Sequence, residues 1–402
     1  MSGPLTGVKV LDFTHGVAGP YCTMLLADLG ADVVKVEKPG RGDATRYMNV
    51  SSDFLDAIPE SGGDYFLAIN RNKRSVTLDL ASAAGRELAL RLSEWADIVV
   101  QSFRPGVMDR LGLGYEVMRA RNPQVIYASL SAYGPNGPMA QQPGMDVAIQ
   151  ARSGVMSITG YPGGEPVKPG ASLADFSAGV HLTVAVTAAL YSRAVTGVGQ
   201  EVNVSLLDST MSMLSNYVVA VQDGGARIQP MGSGHPQLVP FQAFQSADGH
   251  IVIATGTNSL FRRLCVVLGR EDIAEDARFR TNQERVVHRE ALVEILTAVT
   301  RARTTAEWLE LFEANKIPCA PVNTLQEAFA DREVVDNGML VELQHPKVGA
   351  IHVIGTPYRF GGTPAAVRTA PPLLGEHTDS VLEEVLLLDR ESMEALREDG
   401  VL

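Results

Sequence analysis

Residues 8–37 read VKVLDFTHGVAGPYCTMLLADLGADVVKVE, and this stretch decides the fold class. The apolar runs at its two ends, Val8 to Phe13 and Val33 to Glu37, predict short buried strands. Between them a loop leads into a helix predicted over Tyr21 to Leu29. A strand, a helix and a second strand in this order predict a βαβ unit, the building block of a parallel sheet.

The same alternation continues along the chain. A helix is predicted over Ala84 to Trp95, and strands over Ile98 to Gln101 and Val125 to Ser129. These elements predict an α/β fold with a doubly wound, Rossmann-like sheet. The first loop carries Gly16 and Gly19 but not G-x-G-x-x-G, which argues against a nicotinamide or flavin fingerprint. A generic anion or cofactor site at the following helix N-terminus stays open.

The pattern changes after Gln222, where loop-rich sequence begins. A hairpin is predicted over Phe241 to Ala254, with its turn at Asp248 and Gly249. Helical periodicity dominates from Leu260 to Ala314. We therefore predict a smaller α+β domain over residues 225–325.

Composition limits the classes of partner. The chain has 402 residues, 45% of them hydrophobic, and a formal net charge of −12. The length predicts two domains, and the negative charge disfavours nucleic acid as a partner without excluding an anionic small molecule.

The three cysteines and the lengths of the apolar runs indicate the cellular compartment of the chain. Cys22, Cys265 and Cys319 show neither disulfide nor metal-ligand spacing, so we predict no metal site and a cytoplasmic location. We also expect no signal peptide and no membrane span, because neither pattern is present.

Asp175 is the candidate nucleophile. It stands between a short apolar stretch and a long helix predicted over Phe176 to Ala194. Free N–H groups and the helix dipole are expected to keep its carboxylate ionised, and an ionised carboxylate can attack an acyl carbon. The alternative is that Asp175 is simply a capping residue of that helix.

Seven segments, in order along nearly the whole chain, resemble the family III CoA transferases. This group includes formyl-CoA transferase, the carnitine CoA transferases and the α-methylacyl-CoA racemases. The matching segments are residues 8–15, 30–43, 70–75, 103–106, 171–179, 196–200 and 372–378.

The resemblance implies an architecture and an assembly. It implies a Rossmann-like large domain built from residues 1–224 and 326–402, with residues 225–325 inserted between the two parts. It also implies an interlocked homodimer, in which each chain passes through the ring of the other.

The resemblance implies a reaction between an acyl-CoA donor and a carboxylic acid acceptor. Asp175 matches the aspartate that attacks the acyl-CoA thioester in these enzymes. Carboxylate attack gives a mixed anhydride and free CoA thiolate, and further anhydride and aspartyl-thioester steps move CoA to the acceptor.

The resemblance also assigns residues to coenzyme A. Formyl-CoA transferase has Gln in place of Val17, so a different acyl group is expected here. Without the resemblance, the cations among these residues would be assigned to solvated surface. The implied cofactor-binding residues are His15, Val17, Ala18, Lys38, Leu78, Asp79, Ser102, Phe103, Arg104, Arg110, Gly144 and Met145.

A loop in the predicted small domain matches the glycine-rich loop that closes over the intermediates. Its implied substrate residues are Gly232, Gly234, His235 and Gln237. The loop contains fewer glycines than that of formyl-CoA transferase, which leaves its mobility open. The alternative is an ordinary domain connector.

A racemase of the same fold is the main alternative activity. Racemases of this group have a His before an Asp in a Gly-His-Asp motif, whereas this chain reads Gly144-Met145-Asp146. Methionine cannot carry a proton, so one of the two bases is missing unless His15 or His235 replaces it. A CoA-binding protein without activity and a nicotinamide dehydrogenase are further alternatives, opposed by Asp175 and by the absent glycine fingerprint.

The segment after the substrate loop resembles the branch that handles small dicarboxylic acids such as succinate, mesaconate, malate or glutarate. The resembling residues are Val239 to Phe244. A dicarboxylate needs a donor-rich contact for the carboxylate that does not react. The candidates for that contact are Arg46, Arg71 and His235.

Overall fold

The computed structural model describes residues 3–49 and 62–402. The chain divides into two compact units. The large unit runs over residues 1–155, 168–226 and 333–402, and the small unit over residues 156–167 and 227–332.

A six-stranded parallel sheet forms the centre of the large unit. Its spatial order is β3-β2-β1-β4-β5-β6, which confirms the predicted α/β fold. The order reverses beside β1, and ligands of such sheets bind at the carboxyl ends of the strands flanking this point. The strands are β1 Lys9–Phe13, β2 Asp32–Glu37, β3 Lys73–Thr77, β4 Ile98–Gln101, β5 Ile126–Ser131 and β6 Glu201–Ser205.

Both faces of this sheet are buried, because successive side chains of each strand point to opposite faces. Apolar residues therefore follow one another along the strands, and helices cover both sides. One face carries Val10, Val33, Ile98 and Ile126. The other face carries Leu11, Val34, Val99 and Tyr127.

Helices connect the strands in the N-terminal part of the chain, together with a short 3₁₀ turn at Ala44–Tyr47. They are α1 Ala18–Asp28, α2 Asp64–Ile69, α3 Ala83–Trp95, α4 Val107–Arg110, α5 Tyr115–Arg121, α6 Asp146–Ser153, α7 Val155–Ile158, α8 Leu173–Thr196, α9 Leu206–Ser212 and α10 Val218–Gln222.

The 24-residue helix α8 is a core element of the large unit. Its length and apolar composition would suffice to cross a membrane, but it packs against α1, α6, α9 and the sheet. Ala178, Leu182 and Val186 are fully buried in these contacts. Its other side exposes Val184 and Tyr191, whose exposed fractions are 61% and 75%.

The small unit has its own three-stranded antiparallel sheet and its own core. The predicted hairpin is present as β7 Phe241–Gln245 and β8 His250–Ala254, and β9 Cys319–Pro321 pairs with β8. Phe244, Phe261 and Phe312 are buried between this sheet and the helices. Those helices are α11 Asn258–Val267, α12 Glu271–Glu275, α13 Asn282–Val287, α14 Arg289–Thr300, α15 Thr305–Ala314 and α16 Leu325–Ala330.

The C-terminal segment returns to the large unit and covers its edge strand β3. The Ser75 N–H donates to His377 Nδ1 at 3.3 Å, and the Asp79 N–H donates to the Val401 carbonyl at 2.8 Å. Backbone groups that an edge strand leaves unpaired are thereby satisfied. The segment contains α17 Arg332–Asp336, the antiparallel pair β10 Leu340–His345 and β11 Gly349–Ile354, α18 Thr378–Leu386 and α19 Arg390–Glu398.

Candidate active site

Asp175 is the third residue of α8 and lies in the first turn of the helix. The N-cap position belongs to Ser172, so Asp175 does not cap this helix through the N-cap position. Its side chain is half-buried. Within residues 3–49 and 62–402, no hydrogen bond or ion pair involves its carboxylate. The carboxylate oxygens are therefore free to react.

The charge state of Asp175 differs from the expectation drawn from its helix position. Burial and, second, the negative charge of Asp146 raise the pKa of Asp175 from 3.8 to about 7. Both effects disfavour the ionised form, so the expectation that Asp175 stays fully ionised is wrong. Near pH 7 about half of the molecules carry the carboxylate and half carry the neutral acid.

Asp146 begins α6 and is a functional candidate that the sequence analysis did not single out. Its Oδ1 accepts the backbone N–H of Ala174 at 2.9 Å, next to Asp175 in the chain. Its Oδ2 accepts from Gln150 Nε2 at 2.7 Å. The preceding Gly144 approaches Ala132 so closely that a Cβ would lie 2.4 Å from the alanine Cβ. Met145 is 74% exposed.

The loop after β1 brings three of the predicted cofactor residues together. The His15 N–H donates to Ser102 Oγ at 3.0 Å, and the His15 ring lies 5.2 Å from the Phe103 ring. Burial lowers the pKa of His15, which favours the neutral imidazole. Val17 is the N-cap residue of α1, and Ala18 begins that helix.

A buried ion pair lies under this loop. Lys35, fully buried on β2, donates to the Thr14 carbonyl at 2.7 Å and lies 3.0 Å from Asp43 Oδ2. Asp43 Oδ1 accepts the Gly16 N–H at 3.2 Å. Lys35 holds the pKa of Asp43 at about 2, so the pair is charged and fixes the backbone on both sides of His15.

Three predicted cations are exposed. Lys38 follows β2, and Arg104 and Arg110 follow β4. In the described part of the chain, no side-chain hydrogen bond or ion pair engages them. Phe103 and Arg104 line a cavity of about 270 Å³ beside β5 and β6.

The remaining predicted cofactor residues, Leu78 and Asp79, directly follow β3. Leu78 is buried in the core cluster. Asp79 accepts the Ala81 N–H through its carboxylate at 3.2 Å.

Two arginines predicted as carboxylate ligands are engaged elsewhere, and that prediction is wrong. Arg46 makes a buried ion pair with Glu37 at 2.7 Å. Arg71 makes another with Asp28, also at 2.7 Å. Burying a charged group is costly unless it is paired and hydrogen-bonded, and these carboxylates pair with the two guanidinium groups. Of the three residues predicted to contact the unreactive carboxylate of a dicarboxylic acid, only His235 remains a candidate.

The predicted substrate loop is anchored within the small unit. The Gly232 N–H donates to the Gly160 carbonyl at 2.7 Å. The His235 ring packs on Phe241 at 5.3 Å, and His235 Nδ1 accepts the Gln237 N–H at 3.1 Å. Gly234 lies between these contacts.

Comparison with known proteins gives a consistent result. A family model described as CoA-transferase family III matches residues 5–378. The succinyl-CoA:glutarate CoA-transferase of Mus musculus is 38% identical over 99% of this chain and 90% of its own length. The succinyl-CoA:mesaconate CoA-transferase of Haloarcula hispanica is 38% identical, over 95% of this chain and 96% of its own.

A solved structure supports the same relationship. The crystal structure of a CAIB/BAIF family protein from Brucella suis superimposes with a TM-score of 0.85. It is 37% identical and covers 96% of this chain and 100% of its own.

Proposed function

The chain belongs to CoA-transferase family III, and we propose from this membership and from the site geometry that Asp175 carries the reaction. The protein is an enzyme that transfers coenzyme A from an acyl-CoA to a carboxylic acid. We further propose that its acids are small dicarboxylates, of which glutarate, mesaconate and succinate are the first to test.

The observation that carries this proposal is the state of Asp175. Its carboxylate has no partner in the described residues, and its pKa is raised to about 7. A carboxylate held by hydrogen bonds is a poor nucleophile, because those bonds stabilise its charge. A more basic and unpaired carboxylate is a better one, and half of it is ionised at neutral pH.

The proposed steps balance through two anhydrides and one thioester. An Asp175 oxygen attacks the acyl carbon, the C–S bond breaks, and CoA thiolate leaves from a mixed anhydride. The thiolate attacks the aspartyl carbonyl and releases the donor acid, which leaves an aspartyl-CoA thioester. The acceptor carboxylate displaces the thiolate to give a second anhydride. The thiolate then attacks the acceptor acyl carbon, which releases new acyl-CoA and Asp175.

Cofactor binding is proposed for the residues around the carboxyl ends of β1, β2 and β4. The free cations Lys38, Arg104 and Arg110 suit the phosphates of coenzyme A. The loop held by Lys35 and Asp43 supplies the positions His15, Val17 and Ala18. The proposal needs no metal ion.

Racemisation is not favoured. Met145 takes the place of the histidine base, and its exposed thioether has no proton to exchange. His15 is engaged by Ser102 and Phe103, and His235 by Phe241 and Gln237.

A homodimer is proposed for the assembly. The exposed apolar side of α8 supports it, because stable oligomers cover such surfaces. Size-exclusion chromatography with light scattering tests it, and a monomer at micromolar concentration contradicts it. The domain order inferred from the sequence, the absence of a membrane partner and the cytoplasmic location remain parts of this proposal.

Trapping of the covalent intermediate tests the central proposal. Mixing the enzyme with succinyl-CoA is expected to give an acyl or CoA adduct at Asp175 in the intact-protein mass, and hydroxylamine is expected to convert Asp175 to the hydroxamate. Asp175→Asn should lose transfer by at least about 10³-fold and keep CoA binding. Asp223→Asn, on an exposed turn, is the matched control with full activity. Adduct-free protein with every acyl donor, or turnover in Asp175→Asn, contradicts the proposal.

A further inference from the structure

Arg289 begins α14 in the small unit and forms hydrogen bonds with the backbone of the predicted substrate loop, residues 231–237. Its Nη2 donates to the His235 carbonyl at 2.8 Å and to the Pro236 carbonyl at 3.1 Å. These two contacts fix the loop backbone directly after Gly234. Arg289 therefore belongs to the loop structure although it lies more than fifty residues later in the chain.

The other terminal nitrogen of Arg289 has no partner. Nη1 is out of reach of solvent, and it makes no hydrogen bond within the described residues. No carboxylate in that part of the chain pairs with Arg289, and burial lowers the pKa of its guanidinium. A buried cationic donor without an acceptor is costly, so a site of this kind calls for an explanation.

Arg285, four residues earlier on α13, shows that an unpaired buried donor is not a general property of the arginines here. Its Nε donates to the Val239 carbonyl at 2.6 Å. Its Nη1 donates to the Phe279 carbonyl at 2.9 Å, and its Nη2 to Asn258 Oδ1 at 3.0 Å. Each guanidinium nitrogen of Arg285 donates a hydrogen bond inside the protein, whereas Nη1 of Arg289 donates none.

Gly234 is the loop residue beside Nη1. A Cβ at Gly234 would lie 3.1 Å from the Met231 carbonyl oxygen, a tight approach, and 3.7 Å from both Arg289 Nη1 and Gln242 Oε1. The backbone of Gly234 is not in the left-handed region, so its conformation does not require glycine. Glycine therefore places no side chain beside the unpaired nitrogen.

We propose that Arg289 Nη1 recognises the free carboxylate of a dicarboxylic substrate, which reaches it when the loop of residues 231–237 shifts. The inference rests on the proposed function and adds a specificity residue to it. A carboxylate is the acceptor that a guanidinium nitrogen binds most strongly. The carboxylate comes from the acyl group of a donor such as succinyl-CoA or from the acceptor acid, and the experiment separates these two sources.

The test measures selectivity, not activity alone. Wild type and Arg289→Gln are compared with glutarate against butyrate as acceptor, and with succinyl-CoA against butyryl-CoA as donor. Butyrate and butyryl-CoA lack the second carboxylate, and where they turn over too slowly their inhibition constants are measured instead. Arg289→Gln is expected to lose about 10- to 100-fold in kcat/KM for the dicarboxylic member of one pair and less than about threefold for the other member. The affected pair identifies the source, and Arg289→Lys should recover part of the loss.

Two variants separate recognition from loop support. Ser233→Ala removes the oxygen that accepts the Ala243 N–H at 3.0 Å, and should affect both members of each pair equally. Arg289→Lys keeps a cation without the planar guanidinium and should show a smaller loss with the same selectivity, which keeps the test decisive if Arg289→Gln does not fold. Equal losses for both members of each pair in Arg289→Gln and in Arg289→Lys overturn the proposal. Failure of the proposed function is seen separately, as wild-type enzyme that forms no adduct on Asp175.

Discussion

Replacing Asp146 by asparagine is expected to make Asp175 more acidic. The asparagine amide would keep an oxygen for the Ala174 N–H but would lose the negative charge and the oxygen that accepts from Gln150 Nε2. The pKa of Asp175 rises from 3.8 to about 7, with burial as the larger cause and Asp146 as the second. Asp146 therefore accounts for less than half of this rise, and we assign it about one pH unit, a tenfold change in the ionisation equilibrium.

The direction in which the pH profile moves follows from the ionisation of Asp175, the proposed nucleophile. Only ionised Asp175 attacks, so its titration forms the acid limb of the pH profile of kcat/KM. The limb is expected near pH 7 in wild type and about one unit lower in Asp146→Asn, where removing the like charge favours the ionised form. At pH 6 the ionised fraction rises from about one tenth to about one half, so activity relative to the plateau increases about fivefold.

The assay is kcat/KM for succinyl-CoA between pH 5 and 9, with thermal unfolding to show that both proteins stay folded over this range. Asp223→Asn removes a carboxylate on an exposed turn and should leave the limb unchanged. An acid limb at the same pH in Asp146→Asn and wild type would refute the reasoning, because the charge of Asp146 would then not reach Asp175.

Three further substitutions test the support of the site. Lys35→Met leaves Asp43 buried without its cation and should lower the free energy of unfolding by about 3–5 kcal/mol in urea titration, and unchanged stability contradicts it. Lys38→Ala should leave stability within about 0.5 kcal/mol but raise the KM for acyl-CoA about tenfold with little change in kcat, an effect that high salt should weaken. Gly144→Ala would place a methyl group 2.4 Å from a neighbouring Cβ and should cost about 1–3 kcal/mol by thermal unfolding, whereas Gly170→Ala, with open space around it, should cost little.

The large sheet was predictable to the extent that its strands are apolar. β1, β2, β4 and β5 bury both faces, so the sequence alone shows them as apolar runs. β3 was missed because it reads Lys-Arg-Ser-Val-Thr. Its first residue, Lys73, is buried with its charge paired to Asp12, 3.3 Å away on a strand 61 residues earlier, and with hydrogen bonds to the Pro20 carbonyl and Asn70 Oδ1. A hydrophobic pattern cannot report a buried charge whose partner is distant.

The candidate site was predictable in its residues and not in its electrostatics. Asp175 could be identified from its place before an apolar helix and from the family resemblance. Its raised pKa depends on burial and on Asp146, which is on another helix, and local sequence reveals neither effect. Arg46 was wrongly predicted to bind a substrate carboxylate for the same reason. Local sequence does not show that Glu37 pairs with its guanidinium.

The cover over β3 has a consequence for how the protein is made. Ser75 is synthesised 302 residues before His377, its partner at the sheet edge. Throughout elongation on the ribosome the nascent chain therefore presents an open strand edge, a template for pairing with neighbouring polypeptides. A stop codon in place of His377 leaves that edge uncovered, and its product is expected to aggregate although Asp175 and every proposed cofactor contact have already been translated.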